Sequence, residues 1–141
     1  MSAEANKAIV RRFYAATGDV DHAAALVSDD LVDHSLPPGF PQGVAGYRRL
    51  MAMADRAFSD IRVTLEDLLA EGDKVTDRLT VRARHTGEFI GIPGTGKRVT
   101  ITATNIHRLA EGKIAEHWGD ADQLGLLQQL GALPVPEAAN W

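Results

Sequence analysis

The sequence predicts an α+β fold, with helices first and antiparallel strands after them. Two observations carry this. Up to about residue 58 the apolar residues recur at helical spacing, and beyond it they alternate with period two in long runs joined by short turns. Its 141 residues, 45% hydrophobic and 24% charged, suit a single domain, residues 1–141, around a single core. Helices preceding a run of antiparallel strands predict a curved sheet covered by helices on one face.

The first helix is predicted from Ser2 to Ala16. Ile9, Val10, Phe13 and Ala16 share one side, with Lys7, Arg11 and Arg12 on the other. Ser2 can cap it and Gly18 can end it. A short helix, "DHAAALV", follows with Asp19 or Asp21 as cap. "SDDLVDHSLPPGFPQG" holds too many turn formers for a helix and reads as an ordered loop with a short strand at Leu31–His34. A third helix runs from about Val44 to Phe58. Four strands come next: "IRVTLEDLLA", "VTDRLTVRARH", "RVTITATNIHRL" and "IAEHWGD". In the second of them Val75, Leu79, Val81 and Ala83 face one way and Arg78, Arg82 and Arg84 the other. "LLQQLGALP" is a short helix with a glycine stop. The tail, residues 135–141, reads as flexible, with Trp141 free to pack on a partner chain.

Several function classes fit poorly. The net charge is −4 and the arginines are scattered, which argues against nucleic acid. There is no cysteine, so neither a disulfide framework nor a thiolate zinc site is expected. No apolar run approaches the ~20 residues of a membrane span, and "MSAEANKAIVRRFY" has no signal-peptide core, so a cytoplasmic protein is expected. "GIPGTGK" lacks the spacing of a phosphate-binding loop. No HExxH and no helical pair of histidines appears, so no metal is expected.

The "LAEGKIAE" hairpin sets a register. With Glu111–Gly112 as a two-residue turn, Ala110 pairs with Lys113. If that register persists, His107 faces Glu116, Asn105 faces Trp118, Ala103 faces Asp120 and Ile101 faces Asp122, all on one face of the sheet. The opposite face then carries Thr100, Thr102, Thr104 and Arg108, with Ala115 and His117. A one-residue slip would turn Trp118 and Asp120 outward together. A face mixing Ile101, Ala103 and Trp118 with Asn105, His107 and aspartates suggests a pocket of apolar walls and a few convergent polar groups. A carboxylate desolvated there could take a proton from carbon and return it to oxygen. Asp122 is also well placed to cap the last helix, and Asp120 to end a strand in solvent. His22 and His117 look structural or exposed, and His85 marks a strand end.

Five stretches together carry a resemblance: "ANKAIVRRFYAA", "DDLVDHS", "LLAEGDKVTDRLTVRARHTGEFIGIPGTGKRVTI", "IHRLAEGKIAEHW" and "DQLGLLQQLGALP". Over about residues 4–134 the chain resembles the SnoaL-like polyketide cyclases, a branch of the nuclear transport factor 2-like superfamily. The resemblance implies a cone-shaped α+β barrel, in which N-terminal helices close a curved antiparallel sheet around a deep pocket. It implies ring closure of a polyketide-like aromatic or polycarbonyl substrate by intramolecular aldol condensation, with no cofactor. The family's Trp-three-residues-Asp spacing puts the acid/base on Asp122, with Asp120 as a second carboxylate nearby. His34 and His107 stand at positions that line the family's pocket, and Tyr14 where a first-helix aromatic reaches the ligand. The expected site therefore comprises Asp122, His107 and His34 as catalytic groups. Asp120, Trp118, Asn105, Tyr14, Phe13, His85, Met51 and Phe58 are expected against the substrate. The resemblance also implies a homodimer or homotetramer paired through the outer face of the sheet. Two rival functions remain. One is a water-activating hydrolase or an isomerase using Asp120 and Asp122, although Arg78 and Arg82 fall on the wrong face to serve an epoxide hydrolase pattern. The other is a binding module without catalysis.

Overall fold

A computed structural model describes residues 2–137. Helix α1, Ala3–Ala15, is capped by Ser2, whose hydroxyl accepts from the Ala5 N–H at 3.1 Å. Helix α2, Val20–Ala24, is capped by Asp19 in the same way, through the His22 N–H. Strand β1 runs Val27–Asp33, longer than the sequence suggested, and helix α3 spans Val44–Ala57. Strands β2 (Phe58–Glu71), β3 (Lys74–His85), β4 (Arg98–Ala110) and β5 (Lys113–Ala121) follow, then helix α4, Gln123–Gln129. Trp141 and the rest of the tail beyond residue 137 lie outside the described residues.

The five strands form one sheet in the order β1-β5-β4-β3-β2. It is antiparallel except at β1, which runs parallel to β5. The helices pack on one face. Ile9 and Val10 of α1 meet Val27, Leu31, Val75, Leu109 and Ile114 in the main core. Each such burial stabilises the fold by ~1.5–3 kcal/mol. A second cluster joins Leu126 and Leu130, at α4 and its end, to Ala83 and Val99. Strand β3 alternates as expected: Val75, Leu79 and Ala83 are buried, and Arg78 faces solvent.

The β4–β5 hairpin differs from the expectation in register. The turn is as predicted, with positive φ at Glu111 (53°) and Gly112 (77°), and Ala110 opposite Lys113. Beyond Leu109↔Ile114 the ladder shifts by one residue, leaving Ala115 without a partner. From there Arg108 pairs with Glu116, His107 with His117, Ile106 with Trp118, Asn105 with Gly119 and Thr104 with Asp120. This β-bulge reverses the parity of the rest of β5. Trp118 and Asp120 therefore turn to the outer face, and His117 turns in beside His107.

Candidate functional site

Under the helices, four strands and α1 bring a chain of polar side chains together. Parity sends Asp77 inward from β3 between Val75 and Leu79, and it is 2% exposed. Asn105 and His107 point inward from β4, and Tyr14 reaches them from the last turn of α1. The Asp77 carboxylate accepts three hydrogen bonds. Asn105 Nδ2 donates to Oδ1 at 3.0 Å, while the Tyr14 hydroxyl (2.9 Å) and His107 Nε2 (2.7 Å) both reach Oδ2. The Tyr14 oxygen also stands 3.0 Å from His107 Nε2. Facing a carboxylate that can only accept, His107 Nε2 carries the ring proton. Its Nδ1 is then a bare lone pair, and it has no partner among the described residues.

On the β5 side the chain continues. His117 Nε2 lies 2.8 Å from Asn105 Oδ1, and its Nδ1 lies 3.0 Å from Asp33 Oδ1. Asp33 Oδ1 also accepts from the backbone N–H and the hydroxyl of Ser35. The two imidazoles stack, with centroids 5.1 Å apart. Gly119 keeps this approach open, because a Cβ there would stand 2.5 Å from Asn105 Oδ1.

Burial governs the protonation states. It holds the His107 imidazole below its ordinary range, against the opposing pull of Asp77, so the ring is neutral near pH 7. Burial, followed by the charge of Asp77, drives the Tyr14 phenol far above its usual range, so it remains an O–H donor. Burial alone would raise Asp33, but hydrogen bonds from His117 and Ser35 outweigh it and hold the carboxyl low.

Tyr14 connects this chain to a cavity of about 700 Å³ between helices and sheet. Its walls are mostly apolar, with Phe13, Met51, Phe58, Phe89 and Ile101 among them. Tyr47 also lines it, its phenol pushed up to about 12 mainly by burial. Asp77, Asn105 and His107 stand behind Tyr14, outside the cavity wall. Tyr14 lines this apolar wall, and its hydroxyl, 2.9 Å from a carboxylate, can exchange a proton with it in either direction.

The structure divides the expected site residues into groups. Tyr14, Phe13, Met51 and Phe58 line the cavity together, and Asn105 and His107 meet Tyr14 through Asp77. His85 is fully buried beside the Phe58 ring, with Nδ1 accepting from the Thr95 N–H at 3.2 Å. Trp118 lies on the outer face, stacked on His34 at 5.0 Å. His34 bonds Glu116 at 2.7 Å, on the same face. Asp120 is exposed opposite Thr104. Asp122 is exposed and caps α4, its Oδ1 accepting from the Gly125 N–H at 2.9 Å. Its neighbours Gln123 and Leu126 border the cavity, so it stands at the rim.

Residues 8–130 match the family model described as SnoaL-like polyketide cyclase. The chain belongs to this family. Among curated relatives, aklanonic acid methyl ester cyclase DnrD of Streptomyces peucetius is 30% identical, over 94% of each chain. Nogalonic acid methyl ester cyclase of Streptomyces nogalater is 29% identical, over 89% of this chain and 94% of its own. Among solved structures, AclR of Streptomyces galilaeus superposes with a TM-score of 0.88 at 32% identity, covering 99% of this chain and 93% of its own. AclR is described as a hydroxylase. In this SnoaL-like chain, inspection of the sequence missed Asp77 and misplaced His117. Asp77 had a signal, since it shares the parity of Val75 and Leu79. His117 had none, because the bulge that turns it inward leaves no mark in the sequence.

Proposed function

We propose that the protein is a cytoplasmic polyketide cyclase that closes a ring by intramolecular aldol condensation without a cofactor. The substrate class is an aromatic polyketide ester of the kind named in its relatives, the aklanonic and nogalonic acid methyl esters. One observation carries the reading: Tyr14 on the wall of an apolar cavity of about 700 Å³, with its hydroxyl 2.9 Å from Asp77. A carbon flanked by carbonyls gives its proton to the Tyr14 oxygen as the Tyr14 proton passes to Asp77. The enolate carbon attacks a carbonyl carbon of the same molecule and a C–C bond forms. Asp77 then returns its proton through Tyr14 to the new alkoxide. Atoms balance, and the product is an isomer of the substrate. Phe13, Met51 and Phe58 fold the flexible chain into a reactive shape, a contribution that can reach about 7–11 kcal/mol. His107 holds Asp77 Oδ2 in line.

A second assignment keeps the base at Asp122, as the family spacing implies. It is favoured by the position of that carboxylate at the rim beside Gln123 and Leu126. The cap on Gly125 must open for it to act. Turnover of a polyketide methyl ester, followed by mass spectrometry, separates the readings. Tyr14→Phe and Asp77→Asn should lose about 10²–10⁴-fold, the usual weight of a general acid–base, while Asp122→Asn stays within tenfold. The reverse pattern moves the base to Asp122. A product heavier by one water would replace the cyclase reading with a hydrolase. Binding without turnover would replace it with a binding module. The same reading includes pairing of two chains through the outer face of the sheet, where Ile106 is 40% exposed. Light scattering showing a monomer would remove that part.

A further inference from the structure

We infer that His117 is a positioning residue held as a doubly protonated imidazolium, and that it fixes the Asn105 amide so that Asp77 is presented to Tyr14. The positioning role rests on the assignment of Tyr14 and Asp77 above, whereas the protonation state does not.

Donors and acceptors alternate along the chain from Asp77. Asp77 Oδ1 can only accept, so the Asn105 group 3.0 Å away is its NH₂. That orientation sends the Asn105 carbonyl oxygen toward His117, 2.8 Å from Nε2. An oxygen there requires an N–H on Nε2. At the other end of the ring, Nδ1 is 3.0 Å from Asp33 Oδ1. That carboxylate oxygen already accepts from the Ser35 N–H at 2.9 Å and the Ser35 hydroxyl at 2.7 Å. With its proton committed to Asp33, the Ser35 oxygen turns a lone pair to Nδ1 at 3.2 Å. Every polar neighbour of the His117 ring is therefore an acceptor. A neutral ring would set a bare nitrogen against one of them, and only the cation satisfies both ends.

The surroundings fit one positive charge at this place. From β1 and the turn after it, Asp33 and Ser35 face the ring. From β4, Asn105 and the neutral His107 face it, with Asp77 one bond beyond. Carboxylates thus flank the cation on both sides, and the stacked partner ring adds no second charge. From β5 itself only Gly119 faces the ring, and any side chain there would collide with Asn105 and His117. The consequence lies at the cavity. With the Asn105 amide locked by a cation, its NH₂ occupies Asp77 Oδ1 and leaves Oδ2 to Tyr14 and His107. Were the amide to flip, its oxygen would oppose the carboxylate and push it out of line.

Nitrogen-15 NMR of the histidine rings in the full protein tests the inference without substrate. His117 should show two protonated-type nitrogens at pH 7, and His107 one protonated and one bare nitrogen, with His117→Gln supplying the assignment. A bare nitrogen on His117 at pH 7 overturns the inference, whatever reaction the protein performs. Kinetics tests the positioning role. His117→Gln and Asp33→Asn should lower kcat at least tenfold, leave KM within twofold and shift the acid limb of the pH profile. In a Tyr14→Phe background the same changes should cost less than twofold, because they act through Asp77 on Tyr14. Undiminished losses in that background would make His117 merely structural and overturn the positioning role.

Discussion

Replacing Asp77 by asparagine keeps the shape of the side chain and removes its charge and one acceptor. The three groups around it are all donors: Asn105 Nδ2, the Tyr14 hydroxyl and His107 Nε2. Asparagine offers one oxygen and one NH₂. With its NH₂ toward Asn105, donor meets donor, and a flip of Asn105 only moves the conflict to His117 Nε2. With its NH₂ toward Tyr14, the hydroxyl can turn and accept, but His107 must move its proton to Nδ1, which has no partner among the described residues. Either way one buried N–H loses its acceptor, which costs about 1–3 kcal/mol, and hydrogen bonds to a charged group weaken by about 1 kcal/mol each. Relief from burying a charge offsets part of this. The net destabilisation is about 2–4 kcal/mol, below the ~5–15 kcal/mol stability of a typical domain, so the variant should fold. Its melting temperature should fall by roughly 5–15 °C for a chain of this size. Urea unfolding followed by circular dichroism measures the difference, with exposed Asp120→Asn as a control within about ±0.5 kcal/mol. A loss below about 1 kcal/mol at Asp77 would refute the view that this carboxylate organises its three donors.

Three groups make stability depend on pH. His107 is depressed below its ordinary 6.5, so the contribution of its neutral ring is whole above pH 6.5 and declines as pH falls through the folded value. Asp33 is depressed below 3.8, so its contribution is whole above that and is lost lower still. Tyr14 is raised above 10.0, so its contribution is whole below pH 10 and lost above. These three groups therefore lower the melting temperature below about pH 6.5 and above about pH 10, and the absence of a fall on either side would contradict this. Gly119→Ala sets a methyl 2.5 Å from Asn105 Oδ1 and 2.9 Å from His117 Nε2, so turnover should drop sharply and stability fall by about 1–3 kcal/mol. Trp118→Phe changes only the outer face, where the indole stacks on His34. Turnover should stay within threefold, and a large loss there would return Trp118 to the pocket.

The helices, their caps and the hairpin turn were legible because local chemistry decides them. Ser2 and Asp19 cap as any short polar side chain does, and Glu111–Gly112 turns as two positive φ angles require. The inward face of β3 was legible from alternation, yet an aspartate between Val75 and Leu79 reads as an interruption until its three donors are seen. Those donors come from α1 and β4, 28 to 63 residues away in sequence. The facing of β5 was not legible. Alanine at 115 carries no mark of a bulge, and the bulge decides every side chain from Glu116 to Ala121. Asp122 was expected in the pocket from the hairpin register and from the family spacing. Its cap on α4 was visible as an alternative, and that is the position it takes.

The unpaired Ala115 acts on β5 as a single inserted letter acts on a reading frame. Everything downstream is read from the other side of the sheet. With the insertion, the inner face of the sheet receives His117, Gly119 and Ala121: one imidazole and two nearly empty places. Without it, the interior would receive Glu116, Trp118 and Asp120, and an indole would stand where Gly119 now leaves room for Asn105. Deleting Ala115 would thus exchange one set of inward side chains for another without changing any of them. In this fold, one backbone irregularity decides whether the same six residues furnish a polar relay or a filled wall.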